Sequence, residues 1–464
     1  MRSDTRTEPV EARQAQATEA QQAQATSEVP RTWWAFVRAS GPGFAVAMLW
    51  LGAGDLVDSS VSGANYGYAL VWALVVALVC RYVMVSALAK YQLCNRQGDE
   101  TILHGYGRMW RYFPVMLGVA GLMIGFALNS FLLRGSAVAL YHLTGDTGGQ
   151  TWGVTIWSVV CVAATLLLVR ARNQYRGIEI VSIAAVVVLA LTFLIGAIAA
   201  GPDLLSMLRG LALEIPPDVG PFGSVLLTVS LIGAVGGSIG NLLYTYFMTE
   251  KGWRGPQYRR VQMYDLAAGI ASIIVIDLAV WVVAAETLHG TGRVVADEND
   301  LAALMSSLVP FGRTLFWLGL FGAAFDSLPG YSFGFTKMFV GAVHQTWPER
   351  AERYGGDRES DPLFKVVQIG LLVLLPLVFA LPSAPSFVTL TVVSNAVAIA
   401  VVPVIIGGLL WLTNNRRLML PRYVNRWWEN LALVVIGLVT LWGTWELLRK
   451  LAGQVAELVA TLVR

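Results

Sequence analysis

The chain has 464 residues, of which 56% are hydrophobic and only 14% are charged, and its mean hydropathy is +0.60. Soluble domains carry about 25% charged residues, so this composition excludes an ordinary soluble globule and favours one membrane domain. The net charge of +3 gives no reason to expect a nucleic-acid partner. The three cysteines, Cys80, Cys94 and Cys161, lack the spacing of a zinc cluster or a disulfide framework.

Residues 1–32 form a low-complexity segment of Ala, Gln, Thr, Glu and Arg, with near repeats at residues 15–18 and 23–26. Such a segment has too few large apolar side chains to form a core, so we predict a disordered N-terminal tail. It also lacks the apolar stretch and cleavage site of a signal peptide.

From Trp33 onward, apolar stretches recur at the length of about 20 residues that a helix needs to cross a bilayer. We predict an all-α membrane protein with eleven transmembrane helices in a domain that covers residues 33–448, the eleventh at about 428–448. The predicted helices 1 to 11 centre on Ala47, Val75, Met123, Val160, Val188, Val229, Ile274, Leu320, Leu372, Ala398 and Val439.

Positive charge in the connections predicts the orientation, because Lys and Arg concentrate in cytoplasmic loops. With the N-terminus in the cytoplasm, the cytoplasmic connections carry Lys90, Arg96, Arg108, Arg111, Arg170, Arg172, Arg176, Lys251, Arg254, Arg259, Arg260, Arg350, Arg353, Arg358, Lys365, Arg416, Arg417, Arg422 and Arg426. The outer connections carry only Arg209 and Arg293, with Arg313 at a boundary. One missed helix would scramble this pattern. Residues 449–464 read either as an amphipathic tail at the membrane interface or as a continuation of helix 11.

Two predicted helices contain glycine clusters at their centres. In helix 1, Gly41-Pro42-Gly43 is followed by Gly52-Ala53-Gly54-Asp55; in helix 6, Pro221-Phe222-Gly223 is followed by a Gly-rich stretch at residues 233–241. Matched interruptions five helices apart indicate an inverted repeat whose broken helices form a site at the membrane midplane. We therefore predict inverted repeats at about 41–200 and 221–413. The alternative is that the glycines only allow close helix packing.

Asp55 is the leading candidate for a binding residue, because a buried carboxylate in a helix break is costly unless it has a function. It could equally cap the second half of helix 1, and both roles can coexist. Carbonyls of residues 51–53 and 234–237 would add oxygen ligands, a combination that suits a cation. The predicted substrate-binding residues are Asp55, Gly52, Ala53, Ala234, Gly237 and Asn241.

Other polar residues lie within the predicted helices. Asp58, Asp277 and Asp326 are candidate proton-coupling residues; the alternatives are a water-filled vestibule for Asp58 and a structural ion pair for Asp277 and Asp326. Arg81 and Arg134 could reach the interface or pair with one of these acids. Asn129 and Asn395 could supply ligands, but hydrogen bonds between helices are the commoner use.

The sequence gives no indication of an enzyme. It contains no phosphate-binding loop and no His pair at i, i+4, and His104, His142, His289 and His344 lie in predicted loops or at helix ends. A nucleotide-driven pump is excluded for this chain, because no predicted loop is long enough to hold a nucleotide domain.

Several segments resemble the Nramp family of divalent metal transporters over about residues 41–410. They are the Gly41-Pro42-Gly43 entry, Ser62-Gly63-Ala64-Asn65-Tyr66-Gly67-Tyr68 with Trp72, Gly233-Ala234, Gly319-Leu320-Phe321-Gly322-Ala323-Ala324 and Gly330. The resemblance implies a LeuT-type fold of two inverted five-helix repeats, an eleventh helix as in many members, and proton-coupled uptake of metal into the cytoplasm.

The chain departs from the family's binding motifs. Where the family has Asp-Pro-Gly-Asn it has Gly52-Ala53-Gly54-Asp55, and where the family has Met-Pro-His-Asn it has Gly237-Ser238-Ile239-Gly240, with Asn241 shifted by one. The family's acidic residues of helix 3 are also missing near Met123. Loss of the thioether lowers the preference for soft metals and suits a hard cation such as Mg²⁺.

We therefore expect a secondary transporter that imports a divalent cation, Mn²⁺, Mg²⁺ or a similar ion, by alternating access across the bacterial cytoplasmic membrane. The cation is the substrate, and no cofactor is expected; protons and the lipid bilayer are the other expected partners. The alternatives are a transporter of a small organic solute on the same fold and a membrane sensor that does not transport.

Overall fold

The computed structural model describes residues 52–170, 187, 190–308 and 311–463, and every regular element in these ranges is a helix. The predicted N-terminal tail, the Gly41-Pro42-Gly43 entry and the centres of predicted helices 1 and 5, Ala47 and Val188, lie outside the described residues.

The described helices follow the predicted order, and we number them accordingly. They are α1 (Ala53–Tyr66), α2 (Val71–Cys94), α3 (Phe113–Leu143), α4 (Gly149–Arg170), α5 (Ala190–Ala200), α6a (Ser224–Leu231), α6b (Leu243–Glu250), α7 (Arg259–Leu288), α8 (Gly312–Thr346), α9 (Pro362–Val378), α10 (Phe387–Asn414, with a 3₁₀ turn at Ile399–Val401) and α11 (Trp427–Val463). Within the described ranges, seven helical segments are long and apolar enough to cross a membrane, α6 among them as Ser224–Thr249. Short helices in the connections cover Ile102–Met109, Leu204–Arg209, Glu298–Leu308 and Pro348–Arg353.

Equivalent helices of the two predicted repeats make equivalent contacts, as expected for an inverted repeat. Helix α1 packs along α7, and the middle of helix 6 packs along α2, so each broken helix contacts the second helix of the other repeat. Glycines allow these approaches: a Cβ on Gly63 would lie 2.6 Å from the Trp281 carbonyl oxygen, and one on Gly236 would lie 2.7 Å from the Ala77 Cα. Helices α3 and α8, also equivalent in the two repeats, pack along each other.

The connections separate onto two opposite ends of the bundle. At one end, Arg254 forms a 3.0 Å ion pair with Glu100, and the Arg96 amide donates to the Leu418 carbonyl at 2.7 Å. At the other end, the Tyr66 hydroxyl donates to the Phe222 carbonyl at 2.7 Å. The 8–9 connection lies at the first end too, because the Arg111 Nε donates to the carbonyl of Thr346, the last residue of α8, at 3.3 Å. The basic connections 2–3, 6–7, 8–9 and 10–11 therefore share one end, which we call the basic end.

Two helices run on without a break. Helix α8 stays helical through Pro329, and α11 continues to Val463, so residues from 449 extend the last helix.

Candidate functional site

Helix 6 is broken at its glycine cluster, which confirms the prediction. Helix α6a ends at Leu231 and passes into a five-residue π-helical turn at Ile232–Gly236. Gly237 (φ −150°, ψ 102°) and Ser238 (φ −129°, ψ 166°) are extended, and a 3₁₀ turn then leads into α6b. Irregular backbone at this depth leaves carbonyl groups available for a polar ligand.

Helix α1 begins at the glycine cluster that predicts an interruption of helix 1. Gly52 is extended (φ −82°, ψ −179°), and regular helix starts at Ala53. No side chain caps this end, although Asp55 lies in the first turn, where a carboxylate interacts favourably with the helix dipole.

Asp55 lies at the centre of the candidate site. Its side chain is buried, with 3% of the residue exposed, and its Oδ2 accepts no hydrogen bond from the part of the chain that the structure describes. It faces a cavity of about 30 Å³ between α1, α3, the helix 6 break, α8 and α10. The lining residues are Gly52, Gly54, Asp55, Leu128, Phe131, Leu132, Gly233, Ala234, Ser238, Tyr331, Asn395 and Ala398.

Arg81 extends from the middle of α2 to the same place. Its Nη1 lies 3.9 Å from Asp55 Oδ2, and its Nη2 donates to the Ala234 carbonyl at 2.5 Å. The acids expected as partners for Arg81 are Asp58, Asp277 and Asp326, whereas the ion pair in the structure includes Asp55. A buried guanidinium thus contacts both the carboxylate and a carbonyl that we predicted as cation ligands.

Asp58 connects three helices. Both of its carboxylate oxygens accept from the Ser230 hydroxyl of α6a, at 2.9 and 2.8 Å, and its Oδ2 also accepts from Asn395 Nδ2 of α10 at 3.0 Å. Asn395 therefore serves in a hydrogen bond between helices, as does Asn129, whose Nδ2 donates to the Leu371 carbonyl of α9.

The other two acids differ in burial. Asp277 of α7 is 1% exposed, and its Oδ2 accepts no hydrogen bond from any described residue. It lies close enough to Asp55, Asp58 and Arg81 to interact with them electrostatically. Asp326 of α8 is half-buried. Asp55, Asp58 and Asp277, when ionised, leave a formal charge of two minus after Arg81 is counted, which one divalent cation would balance.

The cavity includes only part of the predicted binding set. Gly52, Asp55 and Ala234 line it, whereas Ala53, Gly237 and Asn241 do not. Asn241 lies beside it in the 3₁₀ turn, where its Nδ2 donates to the Gly236 carbonyl at 3.3 Å and its buried Oδ1 accepts no hydrogen bond.

Sequence reasoning missed Tyr331 and Ser238 as cavity residues and left Arg81 without its partner. Tyr331 follows the predicted helix 8 motif by one residue, but nothing in the pattern distinguishes it from the aromatic residues around it. Among its described contacts Arg134 pairs with none of the three acids; its Nη1 donates instead to the Phe379 carbonyl at 3.0 Å.

Within the described ranges, no three His, Cys, Asp or Glu side chains come together as a metal-binding group. A cation at Asp55 would therefore depend on one carboxylate together with carbonyl, hydroxyl and water oxygens. Oxygen-only sites with few charges suit hard cations that keep part of their water.

Curated relatives of the chain are bacterial transporters. The divalent metal cation transporter MntH of Deinococcus radiodurans is 25% identical over 280 residues, which cover 58% of this chain and 60% of that protein. The protein of the same name in Pectobacterium carotovorum is 22% identical over 427 residues, which cover 89% of this chain and 94% of that protein.

Solved structures share the fold. The manganese transporter of Eremococcus coleocola, crystallised with an aromatic bis-isothiourea compound, superposes with a TM-score of 0.63 at 18% identity and covers 95% of this chain and 94% of its own. Mhp1, a nucleobase-cation-symport-1 family transporter, superposes with a TM-score of 0.54 at 13% identity and covers 89% of this chain and 93% of its own. These likenesses confirm an all-α transporter fold of the LeuT type.

Residues 43–449 match the profile of the family described as natural resistance-associated macrophage protein-like, which is most of the chain and includes both broken helices. The resemblance drawn from the motifs is thereby confirmed: the chain is a multi-pass membrane protein that belongs to the Nramp family.

Proposed function

We propose that this protein is a secondary transporter that carries a divalent metal cation through the membrane by alternating access around the breaks of helices 1 and 6. The observation that carries the proposal is the buried Asp55 carboxylate in the first turn of α1, which faces the irregular backbone of helix 6 and whose Oδ2 accepts no hydrogen bond from the described residues. Membership of the Nramp family and the names of the relatives support the same substrate class.

The size of the cavity favours an ion over an organic solute. A volume of about 30 Å³ accommodates one or two water molecules or a single metal ion. Pockets that hold small organic ligands measure about 300–1,000 Å³. A cation is therefore the better fit to the conformation described.

We assign the ligands by their chemistry. Asp55 supplies the charge, and the carbonyls of Gly52, Ala53 and Gly237 with the amide oxygen of Asn241 supply neutral oxygens as the two halves of each broken helix shift. Ala234 joins this set when Arg81 releases its carbonyl. Such a set, which lacks sulfur and imidazole, suits Mg²⁺ or Mn²⁺ with part of its water retained.

Of the three candidate proton carriers, Asp277 has the strongest support. It is buried, its Oδ2 accepts no hydrogen bond, and it interacts with Asp55 through space. The oxygens of Asp58 already accept from Ser230 and Asn395, an arrangement that suits a structural link between α1, α6a and α10. Asp326 is half-buried and does not line the cavity.

The charge of the loops gives the orientation of the chain. We assign the basic end to the cytoplasm, so the N-terminus is cytoplasmic in a bacterial cytoplasmic membrane. Inward movement of the substrate is the direction that the family resemblance implies.

The proposal is tested by flux measurements on the full chain in proteoliposomes, with fluorescent indicators for Mg²⁺ and Mn²⁺ inside the vesicles. We expect uptake of at least one ion, and we expect Asp55→Asn to reduce it roughly tenfold or more, because the variant removes the only charged ligand. Asp146→Asn, a change at an exposed loop carboxylate, is the matched control and should leave uptake unchanged. Uptake of an organic solute without metal flux, or binding without flux, would refute the proposal.

A further inference from the structure

A second cavity, of about 410 Å³, lies at the basic end, between α2, the start of α7 and the start of α11. The proposed transport site does not use it, and none of its lining residues borders the cavity at Asp55. We call it the basic pocket; the residues that define it here are Lys90, Arg259, Arg422, Arg426, Trp428 and Glu429.

One wall of the basic pocket is a continuous stripe of α2. Its members, Tyr82, Val83, Ser86, Ala87 and Lys90, are spaced as residues on one helical face. With a rise of 1.5 Å per residue, the stripe extends about 12 Å from Lys90 toward the middle of the membrane. The wall is therefore charged at its outer end and mostly apolar at its inner end.

The charge at the outer end is mostly positive. Lys90 is neutralised by Glu429, at 2.6 Å from its Nζ. Arg259 donates only to neutral groups among its described contacts, namely the carbonyl and hydroxyl of Ser86, at 2.9 and 2.7 Å, and Gln262 Oε1.

Arg422 and Arg426 are exposed, and in the described part of the chain neither forms an ion pair. Three guanidinium groups thus line one cavity without a carboxylate partner of their own. Helices α7 and α11 also begin here, so the positive ends of two helix dipoles lie at the same cavity.

We propose that the basic pocket binds an anionic phospholipid, with the phosphate among Arg259, Arg422 and Arg426 and with an acyl chain along the α2 stripe. Pockets of basic residues between membrane helices at the headgroup level recognise such lipids. A lipid fits better than a free phosphate because the inner walls are apolar. The rim residues Trp428 and Met263, 51% and 40% exposed, are placed where a bilayer would contact them.

The test uses the full-length protein in detergent, titrated with phosphatidylglycerol, phosphatidylcholine or inorganic phosphate, with lipid retention measured by native mass spectrometry and the unfolding midpoint by tryptophan fluorescence. We expect phosphatidylglycerol to be retained and to raise the midpoint more than phosphatidylcholine. The double variant Arg422→Gln/Arg426→Gln should weaken phosphatidylglycerol binding about 25-fold, at about fivefold for each charge.

The matched control is Arg416→Gln/Arg417→Gln, which removes two exposed arginines from the same loop but outside the basic pocket. It should bind phosphatidylglycerol as the unmodified protein does. Equal stabilisation by both lipids, an equal loss in the control, or full stabilisation by inorganic phosphate alone would overturn the proposal. None of these outcomes affects the assignment of metal transport, which depends on Asp55.

Discussion

Arg81 brings a fixed positive charge to the place where a transported cation would bind. Its guanidinium contacts Asp55 and holds the Ala234 carbonyl, so two candidate ligands interact with a side chain of the protein itself. Arginine is the cation suited to this position, because its planar group can face a carboxylate and a carbonyl together and stays charged when buried. Substrate binding therefore competes with Arg81 for the same oxygens.

The first prediction concerns this competition. Arg81→Gln frees the Ala234 carbonyl and leaves the three acids without their guanidinium, so we expect a lower unfolding midpoint without metal and a larger increase on addition of Mg²⁺ or Mn²⁺. Removing a charge at about 4 Å corresponds to roughly a tenfold or greater gain in metal affinity. The measurement is the unfolding midpoint across a metal titration.

Arg134→Gln is the control, because Arg134 is also a partly buried arginine within a membrane helix but donates to the Phe379 carbonyl away from the site. It should lower the midpoint without changing its dependence on metal. If Arg81→Gln abolished the metal response, Arg81 would be a requirement for binding and not a competitor.

At the scale of residues, the sequence predicted the acid but not its surroundings. Asp55 stood out because a carboxylate follows a glycine cluster in an apolar helix. Tyr331 and Arg81 come from α8 and α2, and their approach to Asp55 depends on how helices far apart in the chain pack. Helical periodicity describes one helix at a time, so it gives no information on contacts between helices that are far apart in the chain.

Between elements, the π-helical turn of helix 6 packs against α10 with almost no space. A Cβ on Gly233 would lie 2.0 Å from the Asn395 carbonyl oxygen, closer than any real contact allows. Only glycine lets the broken segment lie directly on α10, next to the amide that donates to Asp58.

The second prediction tests this contact. Gly233→Ala must displace the turn or α10, so we expect a destabilisation of about 1–3 kcal/mol and a loss of metal uptake. Gly407→Ala in α10 is the control, since a Cβ there meets nothing within 4 Å. That change should be neutral or stabilise by up to about 1 kcal/mol, because alanine favours helix. Unchanged uptake in Gly233→Ala would mean that close packing of this turn is not needed for transport.

A buried carboxylate at the basic end ties α8 to α9. Asp361 caps α9 by accepting from the Leu363 amide, and it also accepts from Arg350 at 2.7 and 2.8 Å and from His344 at 3.0 Å. The Arg350 hydrogen bonds, together with those from Leu363 and His344, outweigh burial and hold the pKa of Asp361 well below its ordinary value of 3.8.

The third prediction follows from the sign of this shift. A carboxylate whose pKa is lower in the folded state than in the unfolded state stabilises the fold at every pH above its ordinary pKa. This stabilisation is lost only as the pH falls below the ordinary pKa toward the folded-state pKa. Asp361→Asn should therefore lower the free energy of unfolding by about 3 kcal/mol, and the decrease should be the same at every pH from 5 to 8. Unfolding midpoints across this range measure it, with the exposed Glu359→Gln as control. A difference that faded between pH 8 and pH 5 would contradict the assignment.

Element positions were more predictable from sequence than their internal geometry. The Gly-rich centres located the breaks, and the structure has its extended residues at Gly237 and Ser238 and its helix start at Ala53. The π-helical form of this turn was not predictable, because the glycines in Ile232–Gly236 indicate an interruption but not its geometry, which depends on contacts with α2 and α10.

On the scale of the whole molecule, two features of the sequence determine the architecture: the matched breaks and the alternation of basic and non-basic connections. The first predicted an inverted repeat, and the packing of α1 on α7 and of helix 6 on α2 is the equivalent contact in the two repeats. The second predicted that the described basic connections would lie at one end, and they do. Which end faces the cytoplasm is a separate question, because it depends on the membrane.

The last prediction addresses that orientation with two serine-to-cysteine changes of equal size. Ser360 lies in the 8–9 connection at the basic end, and Ser383 lies in the 9–10 connection at the opposite end; both are exposed. Cys80, Cys94 and Cys161 are buried, so the unmodified protein should react little with a membrane-impermeant maleimide.

In intact cells, Ser383→Cys should be labelled and Ser360→Cys should not, whereas both should react after the membrane is permeabilised. Labelling of Ser360→Cys alone in intact cells would mean that the basic end faces outward, the reverse of the proposed orientation. Labelling of both would mean that the two connections lie on the same side of the membrane. In that case α9, which lies between them, does not span the bilayer. The basic loops require the first result, since moving clusters of Lys and Arg across the membrane opposes the bias that orients membrane proteins.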